Sequence, residues 1–218
     1  MTRPIERLAL ARGVIGKRVL DVVLVGIAFI VLAPVFLVLA LAIRIDSPGP
    51  AIFKQQRVGR NGKIFVCLKF RTMVQGSSDQ THRRAIQRMW AGERISDDPK
   101  AEFKLTNDAR VTSVGRWLRR TSLDELPQLI NVLRGEMSIV GPRPAIPYEI
   151  DYFQEWHHER HSVKPGITGL WQVRGRGRVG PMEMLRLDVE YVRTWTLWTD
   201  LKLIVLTIPA MLRALGAR

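Results

Sequence analysis

The sequence predicts an α+β fold, mainly helical, built from a re-entrant membrane helix with a break (helix-break-helix), a small β-hairpin and interfacial amphipathic helices. Three observations lead there. Val22 to Ile43 contains no charged residue. Two short apolar runs, Ala51–Phe53 and Ile64–Phe70, flank the turn-forming Arg60-Asn61-Gly62-Lys63, the pattern of a hairpin. Beyond them, apolar residues recur at helical spacing between Gly- and Pro-rich stops.

Residues 1–16 read as a basic N-terminal arm and 17–46 as the membrane segment. Residues 47–218 read as the main domain, with interfacial helices. As one straight helix, Val22–Ile43 would be roughly 33 Å long, enough to cross a bilayer core. Pro34 lies in the middle of it, removes a backbone donor and clashes with the carbonyl of Ile30. Arg3, Arg7, Arg12, Lys17 and Arg18 precede the run, and Arg44, Lys54, Arg57, Arg60 and Lys63 follow it. Because Lys and Arg favour the cytoplasmic side of a membrane segment, both ends ask for the same side. A helix that bends at Ala33-Pro34 and returns satisfies both.

Asp46-Ser47-Pro48-Gly49-Pro50 is the turn-rich exit. Residues 75–105 are a polar excursion with one helix. Val111–Arg120 and Leu126–Arg134 read as helices, Gly141-Pro142-Arg143-Pro144 as a stop, and Ile146–His161 as a further helix. A long last helix begins near Met182. Along it Leu197, Leu201, Ile204, Ile208, Met211 and Leu215 form one apolar stripe, with Trp195 and Trp198 at its start. That pattern suits either core packing or an interfacial helix.

The formal net charge is +14 with 46% hydrophobic residues. A basic balance calls for anionic partners, and the apolar run makes an acidic membrane and phosphorylated substrates better candidates than nucleic acid. Cys67 is the one cysteine. It cannot form an internal disulfide, and its apolar setting predicts a buried, inert thiol. Gly175 to Gly180 formally matches G-x-G-x-x-G but lacks the strand–turn–helix setting of a dinucleotide site. His157 and His161 have a helical metal-ligand spacing without a third ligand nearby.

The stronger cluster is Thr121-Ser122-Leu123-Asp124-Glu125-Leu126-Pro127-Gln128. Ser122 with Glu125 fits a capping box. Arg116, Arg119 and Arg120 precede it, and Arg143 sits in the rigid Gly-Pro-Arg-Pro loop. Arg forks bind phosphate oxygens bidentately. Two carboxylates among arginines also suit Mg²⁺ shared with a diphosphate.

Five blocks occur in order: Lys69-Phe70-Arg71-Thr72-Met73, Ser122 to Leu129, Gly135 to Pro144, Pro165 to Val173, and Leu187 to Val192 followed by Trp195 to Lys202. Over residues 17–212 the chain resembles the bacterial sugar transferase family, the monotopic polyprenyl-phosphate phosphoglycosyltransferases, in their minimal catalytic form. The resemblance implies transfer of a sugar-1-phosphate from a nucleotide diphosphate sugar, a UDP-sugar, to undecaprenyl phosphate. It implies an aspartyl-phosphosugar intermediate on Asp124. Glu125 would share the Mg²⁺ with Asp124 or manage protons. Lys69, Arg119 and Arg143 would hold phosphates, with Arg57, Arg71, Gln172 and Arg176 as further substrate contacts. Implied partners are the nucleotide sugar, polyprenyl phosphate and membrane lipids, with no nucleic acid; homo-oligomerisation is left open. The implied place is the bacterial inner membrane, catalytic domain on the cytoplasmic face, at the start of polysaccharide or glycoconjugate synthesis. Where the family's break is often Ser-Pro, this chain has Ala33-Pro34. The alternative reading is a non-catalytic, membrane-anchored module that binds polyanions.

Overall fold

The computed structural model describes residues 4–93, 95, 108–175 and 179–216. The fold is α+β and mainly helical, as the sequence predicts. Helix α1 (Pro4–Asp46) comes first, so the basic arm is helical from Pro4 onward. Strands β1 (Ile52–Val58) and β2 (Ile64–Phe70) form the expected antiparallel hairpin, in register Ile52 with Phe70 and Val58 with Ile64. Its turn places Asn61 at φ 57°, a left-handed conformation that Asn tolerates. Helices α2 (Gln80–Trp90), α3 (Ser113–Thr121) and α4 (Gln128–Leu133) follow, α4 within its predicted segment and α3 one residue beyond the end of its own.

Three features differ from expectation. β3 (Ser138–Val140) and β4 (Gly166–Thr168) pair in parallel. A Cβ on Gly166 would lie 2.1 Å from the Gly141 nitrogen, so only glycine lets these two segments approach. The segment expected as one helix over 146–161 is two 3-10 turns, Pro147–Tyr152 and Glu155–Ser162. After α5 (Leu170–Gly175), the long last helix is two: α6 (Pro181–Thr194) and α7 (Leu197–Gly216). Trp195, with φ −59° and ψ 131°, breaks the helical path between them. On α7 the most buried positions are Asp200 and Leu203, while Val205 and Ile208 are exposed. The core-facing line is therefore partly polar, and much of the apolar stripe faces outward.

Helix α1 also corrects the expected helix-break-helix in one respect: it runs without interruption through Pro34. A proline costs one hydrogen bond, and a long helix takes up the loss and the clash by bending. Both halves dock on the same domain. Val25 packs with Cys67, Val132 and Met137, and Leu39 and Ile43 pack with Phe70 and Leu118. Between them Ile30 and Val31 are 79% and 66% exposed, and Ala33 and Pro34 are exposed too.

Polar contacts lock each end of α1. On the N-terminal side Lys17 Nζ donates to Asp200 Oδ2 (2.6 Å) and the Val140 carbonyl (2.9 Å). Tyr191 Oη and Trp195 Nε1 also donate to Asp200, and Asp21 Oδ1 accepts from the Ser138 hydroxyl and the Ile139 amide. At the other end Asp46 Oδ2 accepts from the Val114 amide (3.0 Å). Cys67 is fully buried, and burial pushes its thiol pKa up, as an inert thiol requires.

Candidate active site

Helix α3 ends where Ser122 takes φ 62°, ψ 15°, a conformation uncommon for a non-glycine residue. The chain turns there into the 3-10 turn Leu123–Glu125, which leads into α4. The expected capping box is absent. Ser122 makes no side-chain cap, and Glu125 Oε1 instead accepts from Lys69 Nζ at 2.8 Å, with Arg143 Nη1 at 3.8 Å. The pull of two cations outweighs a local cap.

The turn is held at a fixed height above the hairpin. Asn131 of α4 is fully buried. It accepts from the Leu68 amide (3.0 Å) and donates to the Val66 carbonyl and Glu136 (both 2.7 Å). One side chain thus mimics a strand partner for β2 and brings Lys69 opposite Glu125. Helix α3 lies equally close to the 71–73 segment: a Cβ on Gly115 would sit 2.2 Å from the Thr72 carbonyl oxygen. That approach lets Arg119 Nε donate to Thr72 Oγ1 at 2.8 Å.

Asp124 is half-buried, and among the described residues no hydrogen bond to its carboxylate is found. Burial raises its pKa to about 6; Lys69, Arg119 and Arg143 oppose the rise, and the neighbouring Glu125 adds to it. A carboxylate left unbonded amid cations is available to an incoming electrophile or ion. A cleft beside it is lined by Arg57, Lys69, Glu125, Gln128, Arg143 and Gln172. The structure therefore gathers Lys69, Arg57, Glu125, Arg143 and Gln172 around one opening, with Asp124 and Arg119 adjacent.

Residues 12–214 match the sequence profile of the bacterial sugar transferases. The chain belongs to the bacterial sugar transferase family. It is 43% identical over 217 residues to the UDP-glucose:undecaprenyl-phosphate glucose-1-phosphate transferase of Caulobacter vibrioides, covering 96% of this chain and 73% of that protein. It is 43% identical to the undecaprenyl-phosphate galactose phosphotransferase of Salmonella typhimurium, over 92% of this chain but 41% of that protein. The exopolysaccharide production protein ExoY of Rhizobium meliloti is 38% identical, over 94% of this chain and 89% of its own length. The chain thus spans less than half the length of several of its curated relatives, such as the Salmonella protein.

In this member of the family two of the expected further substrate contacts are engaged within the fold. Arg71 is buried. Its guanidinium donates to the carbonyls of Pro48 (2.9 Å) and Ser47 (2.6 Å), to Ser47 Oγ (3.0 Å) and to the Ile43 carbonyl (3.4 Å). It therefore caps the end of α1 and does not reach the cleft. Arg57, also buried, donates to Gln55 Oε1 and to the Pro144 carbonyl. It lends charge to the cleft wall while fastening the Arg143 loop. Gln172 Nε2 is fixed on the Ile167 carbonyl (2.9 Å), and its Oε1 is a buried acceptor without a partner among the described residues. Arg176 lies outside the described residues.

Gln128 (2% exposed), quoted in the motif without a role, lines the cleft, and Asn131, which the sequence reading did not single out, supports it from behind. Each is a polar residue on the inward face of a short apolar helix, which is the signal that would have found them. The Gly175–Gly180 motif follows α5, not a strand, which removes the dinucleotide reading. His157 and His161 lie in a 3-10 turn, where four residues no longer share a face, and His157 Nδ1 accepts from the Gln154 amide (2.8 Å).

Proposed function

We infer that this chain transfers a sugar-1-phosphate from a UDP-sugar to undecaprenyl phosphate, through a phosphosugar carried on Asp124, and so initiates polysaccharide or glycoconjugate synthesis. The observation that carries this reading is the unbonded, half-buried Asp124 carboxylate, within the electrostatic influence of Lys69, Arg119 and Arg143, on a domain that holds both ends of a membrane-type helix. The two relatives named above as transferases carry undecaprenyl phosphate in their names, and the shared family makes it the acceptor to test first.

In the first step an Asp124 oxygen attacks the phosphorus that bears the sugar. The diphosphate P–O bond breaks, and the nucleoside monophosphate leaves with the electron pair. In the second step a phosphate oxygen of the lipid attacks the same phosphorus, the bond to Asp124 breaks, and the carboxylate is restored. Splitting the displacement this way replaces one difficult step by two easier ones. Lys69, Arg119 and Arg143 supply positive charge where the phosphoryl oxygens gain negative charge, the dominant need in phosphoryl transfer. Lys69 also holds the Glu125 carboxylate in place, at 2.8 Å.

Among the described residues no group of three or more metal-ligating side chains occurs, so an all-protein cage is not on offer. Asp124 and Glu125, adjacent on one turn, fit the smaller demand of Mg²⁺, which takes one or two carboxylates and completes its shell with substrate oxygens and water. Bound there, the ion would neutralise diphosphate charge. The catalytic domain would lie on the cytoplasmic face, where UDP-sugars are available and the basic surface meets acidic lipid.

The test is exchange of labelled UMP into UDP-sugar without any lipid acceptor, across a panel of UDP-sugars. The covalent route gives exchange and a phosphosugar mass on the peptide containing Asp124. A direct transfer gives neither without lipid, and a polyanion-binding module gives neither under any condition.

A further inference from the structure

Arg143 reaches the site from a loop, yet its guanidinium must be placed to within a fraction of an ångström to serve a phosphoryl group. Its neighbours in the loop are prolines, and the loop is anchored just after Arg143. Val58 donates its amide to the Ala145 carbonyl (2.8 Å), and Arg57 Nη1 donates to the Pro144 carbonyl (2.8 Å). The third anchor falls on Arg143 itself. Arg160 Nη2 donates both to the Arg143 carbonyl and to Asp188 Oδ2. The pair's side chains are 2% and 1% exposed, and the Phe153 ring lies 5.5 Å from the Arg160 guanidinium carbon.

Such a pair is an expensive thing to bury, and replacing it by apolar residues would often be neutral for stability. Its presence asks for a use. Neither side chain lines the cleft, so neither is in reach of substrate. What the pair touches in the site is the Arg143 backbone; burial raises the Asp188 pKa to about 6, and Arg160 first, then the Arg143 amide, oppose the rise.

We propose that the buried Arg160–Asp188 pair is a positioning device for Arg143: it fixes the backbone from which the phosphate-binding guanidinium is aimed, and so tunes the transfer step from outside the cleft. Arg160 and Asp188 are positioning residues and not catalytic ones. The pair joins α6 to the second 3-10 turn, so the aim of Arg143 depends on how these two elements are packed.

This inference rests on the proposed transferase reading, and the test separates the two. Exchange of labelled UMP by the unaltered chain is measured first; if it is absent, the transferase reading fails before the pair is examined. The pair is then replaced as Arg160→Met with Asp188→Leu, which leaves no lone buried charge, and Asp188→Asn is made alongside. In the double replacement the melting temperature should stay within a few degrees. The exchange rate should fall roughly 100-fold, the scale of an ångström-sized misplacement. In an Arg143→Lys background the same replacement should change the rate by no more than about twofold, because the residue it aims is already impaired. Asp188→Asn, if folded, should show the same dependence on Arg143. Equal losses in both backgrounds, or undiminished exchange in the double replacement, would overturn the proposal.

Discussion

Asp124 sits where a charge is costly, and that cost has consequences at the level of one residue. Its folded pKa of about 6 lies above the ordinary 3.8 because of burial. The folded state therefore holds the proton more tightly than the unfolded chain. Stability from this group is complete below the unfolded value and is lost as pH rises through about 6. At neutral pH, Asp124→Asn should then stabilise the fold, on the order of 1–2 kcal/mol after screening by nearby cations, while abolishing UMP exchange because an amide is a poor nucleophile. Thermal melting at pH 7 and pH 4.5 checks the sign: the gain should shrink at the lower pH. In the unaltered chain exchange should rise between pH 5 and pH 7, as the nucleophile ionises. An active Asp124→Asn would return the residue to a purely structural role. Arg143→Lys keeps the charge but loses the planar fork, and should cost roughly 2–3 kcal/mol of transition-state stabilisation in kcat/KM. The grouping of carboxylates with arginines along one motif was plain in the sequence. What each cation bonds was not: the Arg71 guanidinium is taken by the carbonyls of Ser47 and Pro48, and a sequence shows only that a cation is present.

At the scale of elements, the site depends on two close approaches. Gly115 lets α3 lie against the Thr72 backbone, and an added methyl would meet its carbonyl oxygen at 2.2 Å. Gly115→Ala should destabilise by about 2 kcal/mol or more through overpacking. It should also slow exchange by displacing Arg119, with melting and kinetics measured on the same sample. The hairpin was readable in advance because a strand pair closed by Arg-Asn-Gly-Lys is a local event. The parallel β3–β4 pair was not, because its two strands are joined through long-range contacts and are three residues each. The split between α6 and α7 was hidden by continuous helical periodicity across Trp195, whose indole donates to Asp200 (3.0 Å), the carboxylate that also holds Lys17 of α1. Ser122 and Glu125 matched a capping box in spacing, yet Lys69 from another element captured the glutamate.

Over the whole molecule, the disposition of α1 decides which side of a membrane each end sees. The apolar run and the basic clusters at both its ends were plain in the sequence, but what holds the ends was not. Lys17 and Asp21 reach into the domain on one side of Pro34, and Asp46 and the carbonyls bonded by Arg71 do so on the other. Both anchors are on one body, so a single straight crossing would have to tear one of them out. Breaking the Lys17–Asp200 pair alone leaves a buried carboxylate without its cation, a loss of several kcal/mol. Ile5→Cys and Ser78→Cys should therefore be labelled by an impermeant thiol reagent from the same, cytoplasmic side, with buried Cys67 silent in both. Pro34→Leu restores a backbone donor and favours a straighter helix. The anchors nevertheless predict that position 5 stays where it was, with the exposed Ile30–Val35 segment re-forming its bend or tilting within the leaflet. Labelling of position 5 from the outer side in the Pro34→Leu chain would mean that the proline, and not the docking of both helix halves, sets the topology. Outer labelling in the otherwise unaltered chain would mean that α1 spans the membrane and that its N-terminal contacts with the domain are not those of the membrane-bound protein.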